Sequence, residues 1–336
     1  MFQYAIRRTI GAFLMLIVMS IVTYLIFLAT PVDAARLTCG KQCGEQQIQI
    51  NKHALGYDKP IYEQYWNFVK GLVVDRDFPA DPELKKTHPE IIRHCAAPCL
   101  GYSANKNQLI WDYLKPRVPV TVYLTLAAFV MWMVVGVLLG IWAALRRGKF
   151  ADRITVGVSL LFYSFPTFFI GLLLFQLFAF QWDLVSVPQY IEPSNDFGQF
   201  LANLFLPALT LAAVYAAAYV RITRTYVLET MGEDYLRTAK AKGVKGRRIV
   251  FKHTLRAALT PIVTLAGLDL GLLLAGAPIT ETIFSFPGLG QAAVNSASQF
   301  DLPMTVVIVL ISATFVIVAN LIVDLLYAVI DPRVRY

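Results

Sequence analysis

Six stretches of this sequence are apolar for long enough to cross a lipid bilayer, and nothing else in it constrains the fold as strongly. A hydrocarbon core of roughly 30 Å takes about twenty residues of helix, and only helices or closed barrels satisfy every backbone group inside it. Thr9 to Thr30, Val118 to Leu145, Ile154 to Trp182, Phe197 to Val220 and Leu302 to Val323 contain no Asp, Glu, Lys or Arg, and Ala257 to Thr280 contains only Asp269. Composition agrees: 57% of the 336 residues are hydrophobic and 15% charged, too little charge to clothe ordinary soluble domains. The expected fold is an all-α polytopic membrane protein with six spans. Arg7 and Arg8 precede the first stretch as they would in a secretory signal. Its length and the lack of a clear small-residue cleavage pattern make it a retained helix instead.

The basic residues set the expected orientation. Eighteen of the 30 lie in four segments: the N-terminal arm, Arg146 to Arg153, Arg221 to Arg256 and the tail after residue 330. The short loops Asp183 to Asp196 and Glu281 to Asp301 have none, so the basic segments are expected inside and both termini with them. The other twelve fall in Pro31 to Arg117, a loop long enough to be translocated regardless of charge, which also holds ten acidic residues. The net charge of +8 follows from this topology, and nucleic-acid binding is the weaker explanation for it. The chain therefore divides into 1–30, an arm and first helix; 31–117, an outer cap; 118–330, five further spans with an inner loop at 221–256; and 331–336, a tail.

Pro31 to Arg117 is too long and polar for a linker, and Tyr57, Tyr62, Tyr65, Trp66 and Phe68 suit a small helical cap on the membrane face. It holds all four cysteines, Cys39-x3-Cys43 and Cys95-x3-Cys99. On the outer, oxidising side two disulfides are expected, with three connectivities open. Pairing one motif against the other would close a loop of about fifty residues, worth roughly 4 kcal/mol on the chain-entropy model. The alternatives are a four-thiolate metal site with His94 as a spare ligand, or free thiols.

Arg221 to Arg256 carries a short helix with its own ends, from about Glu233 to Lys242. Glu233 and Asp234 stand where a helix N-terminus favours negative charge, Lys240 and Lys242 where the C-terminus favours positive, and Gly243 where a left-handed cap is wanted. Thr238, Ala239 and Ala241 are small enough for another protein's groove to approach, and Tyr235 and Leu236 offer apolar anchors. The helix reads as a docking knob, against the alternative of a solvated basic loop that only sets topology.

Asp269 tolerates its place in a span because the many Leu, Ile and Val around it offset its insertion cost of about 3 kcal/mol. Gly267, Gly271 and Gly276 suit close helix packing, so Asp269 is expected to face protein, as a structural hydrogen bond, a gate contact or a lining of the path. Asp324 reads as structural, and Pro166, Pro207, Pro261 and Pro278 are expected to bend or interrupt spans. There is no GxxxxGK[ST], GxSxG or HExxH, and His53, His88, His94 and His253 form no ligand pair on one helix. No catalytic residue and no metal site is expected in this chain.

Asp234-Tyr-Leu-Arg-Thr-Ala-Lys-Ala-Lys-Gly243, followed by His253-Thr-Leu-Arg256, resembles the cytoplasmic EAA-type loop of ABC importer permeases in its peptide-transporter variant. Ala239, Gly243 and Leu255 match the general pattern in register; Arg237, Thr238, His253 and Arg256 depart from it. Leu55-Gly-Tyr-Asp-Lys-Pro60 with Gln64-Tyr65 is similar to the segment after the first helix of these permeases. Glu281-Thr-Ile-Phe-Ser-Phe-Pro-Gly-Leu-Gly290 is similar to the segment after the fifth, and Asp331-Pro-Arg333 to the terminal one. Ala143-Ala-Leu-Arg-Arg-Gly148 and Asp152-Arg153 extend the likeness to nearly the whole chain. Val32 replaces a glycine of the family, and Asp75 to Cys99 resembles an insertion.

The resemblance implies the type I ABC importer permease architecture, and the B-type subunit of the dipeptide and oligopeptide family, in a bacterial cytoplasmic membrane. It implies a second permease, two ABC ATPases and an outer substrate-binding protein as partners. ATP and Mg would be bound by the ATPases and no cofactor by this chain. The ATPase-docking residues are then Glu233, Asp234, Tyr235, Leu236, Arg237, Thr238, Ala239, Lys240, Ala241, Lys242 and Gly243, with Asp269 and Glu281 as pathway or gate candidates. Competing readings are an importer of nickel, an oligosaccharide or another solute, an autonomous channel or secondary transporter, and an envelope receptor.

Overall fold

Most of the long apolar stretches are continuous helices whose backbone closes its hydrogen bonds on itself, as lipid requires. The computed structural model describes residues 2–29, 36, 44–79, 90 and 92–330, so Cys39, Cys43 and Asp331-Pro-Arg333 lie outside the described residues. Helix α1 (Phe2–Ala29) leads into the cap. There α2 (Glu45–Ala54), α3 (Ile61–Gly71) and the short α4 (Ile110–Leu114) accompany four strands: β1 (Arg76–Phe78) pairs antiparallel with β2 (Arg93–Cys95), and β3 (Tyr102–Ser103) with β4 (Gln108–Leu109). The membrane body follows, with α5 (Arg117–Leu145), α6 (Phe150–Ser164), α7 (Thr167–Phe175) continued by a π turn at Gln176–Gln181, and α8 (Phe197–Gly232). Then come α9 (Asp234–Ala241), α10 (Gly246–Arg248), a π turn at Ile249–Thr254, α11 (Leu255–Leu274), α12 (Pro278–Ile283), α13 (Leu289–Ser298) and α14 (Leu302–Ile330). The cap is thus helical only in part, and among the described residues strands occur only there.

Among the described residues, five helical runs are long and apolar enough to span: Ile6–Ile26, Ile110–Leu145, Phe197–Gly232, Gly246–Leu274 and Leu302–Leu325. The sixth expected span is not one helix, because α6 and α7 meet at a bend of 100°. Phe165 is extended there (φ −88°, ψ 138°), the conformation forced on a residue before proline, and Pro166 caps α7. Pro207 and Pro261 sit inside unbroken helices, so of the four prolines only Pro166 and Pro278 mark a break, the latter as the first residue of α12. The fifth span accordingly ends at Leu274 rather than Thr280. Its end carbonyls find side-chain donors: Thr125 Oγ1 donates to Leu273 O (3.1 Å) and Ser312 Oγ to Ala275 O (2.8 Å).

Helices α5 and α8 form the centre of the body, around Trp132, Leu206 and Tyr219. They approach closely because Gly136 and Gly140, four apart on α5, have no side chain. A Cβ at Gly136 would stand 2.7 Å from the Tyr219 Cβ, and one at Gly140 would stand 2.6 Å from the Thr223 Cβ and 2.8 Å from Val220 O. Gly267 and Gly271 do the same for α11, against Val323 and Ala319 of α14. The opposite faces leave apolar side chains such as Phe13, Leu138 and Leu172 uncovered, as lipid contact demands. Helix α1 lies along α14, and Arg8 Nη1 meets Asp324 Oδ2 at 2.8 Å, so the first turns of α1 and the last turns of α14 lie at one end of the bundle.

The cap is fixed to the opposite end. Tyr65 and Phe68 of α3 pack their rings on Tyr24 of α1 (5.5 and 5.9 Å), while Tyr62 and Trp66 stay exposed. Ser103 donates to Asp301, whose other carboxylate oxygen accepts from the Met304 N–H (3.3 Å) at the start of α14. Cys95 is bonded to Cys99, within one motif rather than across the two, and no metal-holding group of three His, Cys, Asp or Glu occurs among the described residues.

Candidate functional site

Helix α9 has the ends its sequence specifies. Glu233 is extended before the first turn and Asp234 opens it, while at the other end Gly243 takes φ +79°. The Gly243 N–H bonds Lys240 O (3.0 Å) and the Val244 N–H bonds Ala239 O (3.2 Å), the paired pattern of a glycine-capped C-terminus. Leu236 is the one fully buried residue of the helix, turned onto the end of α8 and the second π turn, with Ala239 half-buried beside it. Leu236 is therefore an internal anchor and not, as its sequence position suggested, a contact offered to a partner. Asp234, Tyr235, Arg237, Thr238, Lys240, Ala241 and Lys242 are exposed on the other face. The result is a short ridge, small-featured in its middle and basic at its C-terminal end, held on the bundle by one leucine.

The two carboxylates singled out from sequence lie apart. Asp269 of α11 accepts a hydrogen bond from Tyr219 Oη of α8 (2.6 Å), which ties the central helix pair to the fifth span. Glu281 of α12 is fully buried. Its Oε1 accepts from Thr121 Oγ1 of α5 (2.9 Å) and the Ala277 N–H (3.4 Å), and its Oε2 from the Gln291 N–H of α13 (2.8 Å). Thr121 Oγ1 accepts in turn from the Leu289 N–H (2.8 Å). Burial pushes the Glu281 carboxyl above its ordinary range, and these donors pull it back. Gly288 makes room for it, since a Cβ there would stand 2.5 Å from Glu281 Cδ, and Gly276 (φ +120°) lets its backbone meet that of Gly290. Glu281 is the clasp of a packed knot joining α5, α12 and α13. Glu281→Gln, which puts an amide N–H₂ where an acceptor is needed, is expected to cost about 1–3 kcal/mol, read as a lower detergent melting temperature. An unchanged melt would remove the clasp role.

Two further links come from residues that the sequence reading did not pair. Arg224 of α8 grips Asp152 of α6 with two parallel bonds (Nε–Oδ1 2.6 Å, Nη2–Oδ2 2.9 Å), and Asp152 Oδ2 also accepts from the Gly148 N–H (2.9 Å). This fixes the turn between α5 and α6 against the stem of α8, near α9. The spacing Gly136-x3-Gly140 was a legible signal for close packing; nothing in the sequence announces Asp152 with Arg224, 72 positions apart.

Residues 136–336, which carry α9, Asp269 and Glu281, match the family described as binding-protein-dependent transport system inner membrane component. Residues 1–125 match the N-terminal part of the same systems' membrane component. The chain belongs to the inner-membrane permeases of binding-protein-dependent transport systems. Among curated permeases, the dipeptide transport system permease protein DppB of Escherichia coli K12 is 34% identical over 364 residues, covering 100% of this chain and 99% of that one. The glutathione transport system permease protein GsiC of Escherichia coli K12 is 34% identical over 336 residues, covering both chains fully. Among solved structures, the methionine ABC transporter MetNI in an inward-facing form matches with a TM-score of 0.51 at 16% identity, over 65% of this chain and 96% of that chain. That likeness supports the fold, a mostly helical, polytopic type I permease body.

Proposed function

We propose that this permease forms half of the translocation pathway of an ATP-driven importer for di- or oligopeptides. The observation that carries the substrate class is full-length similarity, at equal identity, to permeases named for a dipeptide and for glutathione, itself a tripeptide. The ridge at Asp234–Ala241 is the place where ATPase subunits engage, with Gly243 ending it. ATP and Mg sit on two separate ATPases, a second permease completes the path, and an outer binding protein delivers the peptide. Both termini face the cytoplasm, a reading supported by the basic inner segments and by the Arg8–Asp324 pair that puts the start of α1 beside the end of α14. ATP binding draws the docking ridges together, and each ridge moves α8 and α11, to whose ends it is joined. The permease then needs only two packings of the same helices, whose balance the partners shift.

Asp269 in this reading is structural. Asp269→Asn keeps an oxygen for Tyr219 Oη, and peptide uptake is expected to stay within about twofold of wild type, whereas Asp269→Ala strands the hydroxyl and costs about 1–3 kcal/mol in a melt. Loss of uptake by Asp269→Asn in a fully folded protein would make it a path residue instead. The substrate class is tested by uptake of labelled di- and tripeptides in cells with and without the chain. Uptake that depends on it supports the proposal. Unchanged peptide uptake, with loss of uptake of a nickel salt or an oligosaccharide, overturns it.

A further inference from the structure

A cavity of about 150 Å³ lies between the cap and the membrane body, at the end of the bundle opposite the Arg8–Asp324 pair. Its lining mixes an apolar floor from α14, including Val306, with the polar ends of Tyr24, Tyr57 and Arg76. Arg76 is half-buried and has neither a carboxylate nor a hydrogen-bonding partner among the described residues; its guanidinium only covers the Phe78 ring (4.9 Å). The other cation of the lining, Lys59, is already paired with Glu63 (2.7 Å). The nearby Asp301 carboxylate is engaged by Ser103 and the Met304 N–H.

The site is also built. Gly71 has no side chain where a Cβ would stand 2.7 Å from Arg76 Cδ, and its carbonyl accepts the Cys99 N–H (2.8 Å). Arg76 is paired across β1 and β2 with Cys95, so the Cys95–Cys99 bond holds the strand that aims it. Burial raises the Tyr57 hydroxyl above its ordinary value, which keeps it a neutral donor. A partly desolvated arginine with no paired anion among the described residues, and tyrosine hydroxyls at hand, is half of a charge-assisted site.

We propose that this cavity binds a phosphate-type oxyanion, the phosphodiester of a phospholipid from the adjacent leaflet, with Arg76 as counter-ion and Tyr57 as a second donor. Tyr24 and Val306 belong to the ends of their spans, at the depth of lipid headgroups, and the apolar floor suits the start of an acyl chain. The full-length chain, purified in detergent and delipidated, is titrated with dihexanoylphosphatidylglycerol and followed by native mass spectrometry, with inorganic phosphate as competitor. One phospholipid per chain is expected to bind, about tenfold more weakly in Arg76→Gln and measurably more weakly in Tyr57→Phe, at an unchanged melting temperature. Displacement by millimolar inorganic phosphate assigns the same site to a soluble anion; resistance to it assigns the lipid. Equal binding by wild type and Tyr57→Phe, or by wild type and a folded Arg76→Gln, overturns the proposal.

Discussion

Gly243→Asp is expected to lower peptide uptake by about tenfold or more, within the usual range of a coupling energy of 1–3 kcal/mol, while the chain still inserts and accumulates. Gly243 has φ +79° and no atom within 4 Å of a Cβ built on it, so the change meets strain and charge but no clash. A left-handed non-glycine residue costs roughly 1–2 kcal/mol, less for aspartate than for most residues, and only at the end of a surface helix. The larger effect is on the ridge. A carboxylate now stands at the negative end of the α9 dipole, and the two bonds from Gly243 and Val244 that fix the last turn are disturbed. The partner surface is altered while Leu236 still holds the helix to α8. Transport and ATPase stimulation are the readouts, with membrane content as the control; wild-type uptake would sink the docking assignment.

Gly140→Leu is expected to remove most of the folded chain. A single Cβ there meets Thr223 Cβ at 2.6 Å and Val220 O at 2.8 Å, so helices α5 and α8 must separate before any further atom is placed. Overpacking of this kind costs typically 1–3 kcal/mol and more when backbone blocks relief, against a total stability of about 5–15 kcal/mol. The damage spreads because Tyr219, next to the contact, is the partner of Asp269, and Arg224, one residue beyond Thr223, is the partner of Asp152. Gly157→Leu on α6, where a Cβ meets nothing within 4 Å, is the matched control and is expected to be silent. Fluorescence-detected size-exclusion of the two variants decides it. Equal monodisperse peaks would show that the α5–α8 seam does not need its glycines.

What the sequence made legible was local. Apolar length placed the spans, and the acidic start, basic end and glycine stop of Asp234–Ala241 placed the inner helix to within a residue. Pro166, Pro207 and Pro261 show where local signals end: all three lack an N–H inside an apolar stretch, yet only the first breaks its helix. Leu206 and Pro207 are buried among neighbouring helices, and α8 runs on through them unbroken, a tertiary fact. The face that Leu236 presents was open for the same reason, because periodicity over two turns does not say which side has a neighbour. Cys95 pairing with Cys99, and the strands β1 and β2 around it, depended on chain reversal in the cap that composition does not encode. The clasp at Glu281 gathers partners from Thr121 to Gln291, and a carboxylate beside a span read equally well as a gate.

The most direct test of the central claim is a photocrosslinking residue in place of Tyr235, which is 48% exposed on the ridge, introduced into the full-length chain in its own membrane. Illumination, mild-detergent purification and mass spectrometry then identify what the ridge touches. The expected result is a crosslink to a subunit carrying a GxxxxGK[ST] loop, recovered together with a second permease. Crosslinks to lipid or to other copies of this chain alone, with no such ATPase at any yield, would contradict the assignment of Asp234–Ala241 as the coupling surface.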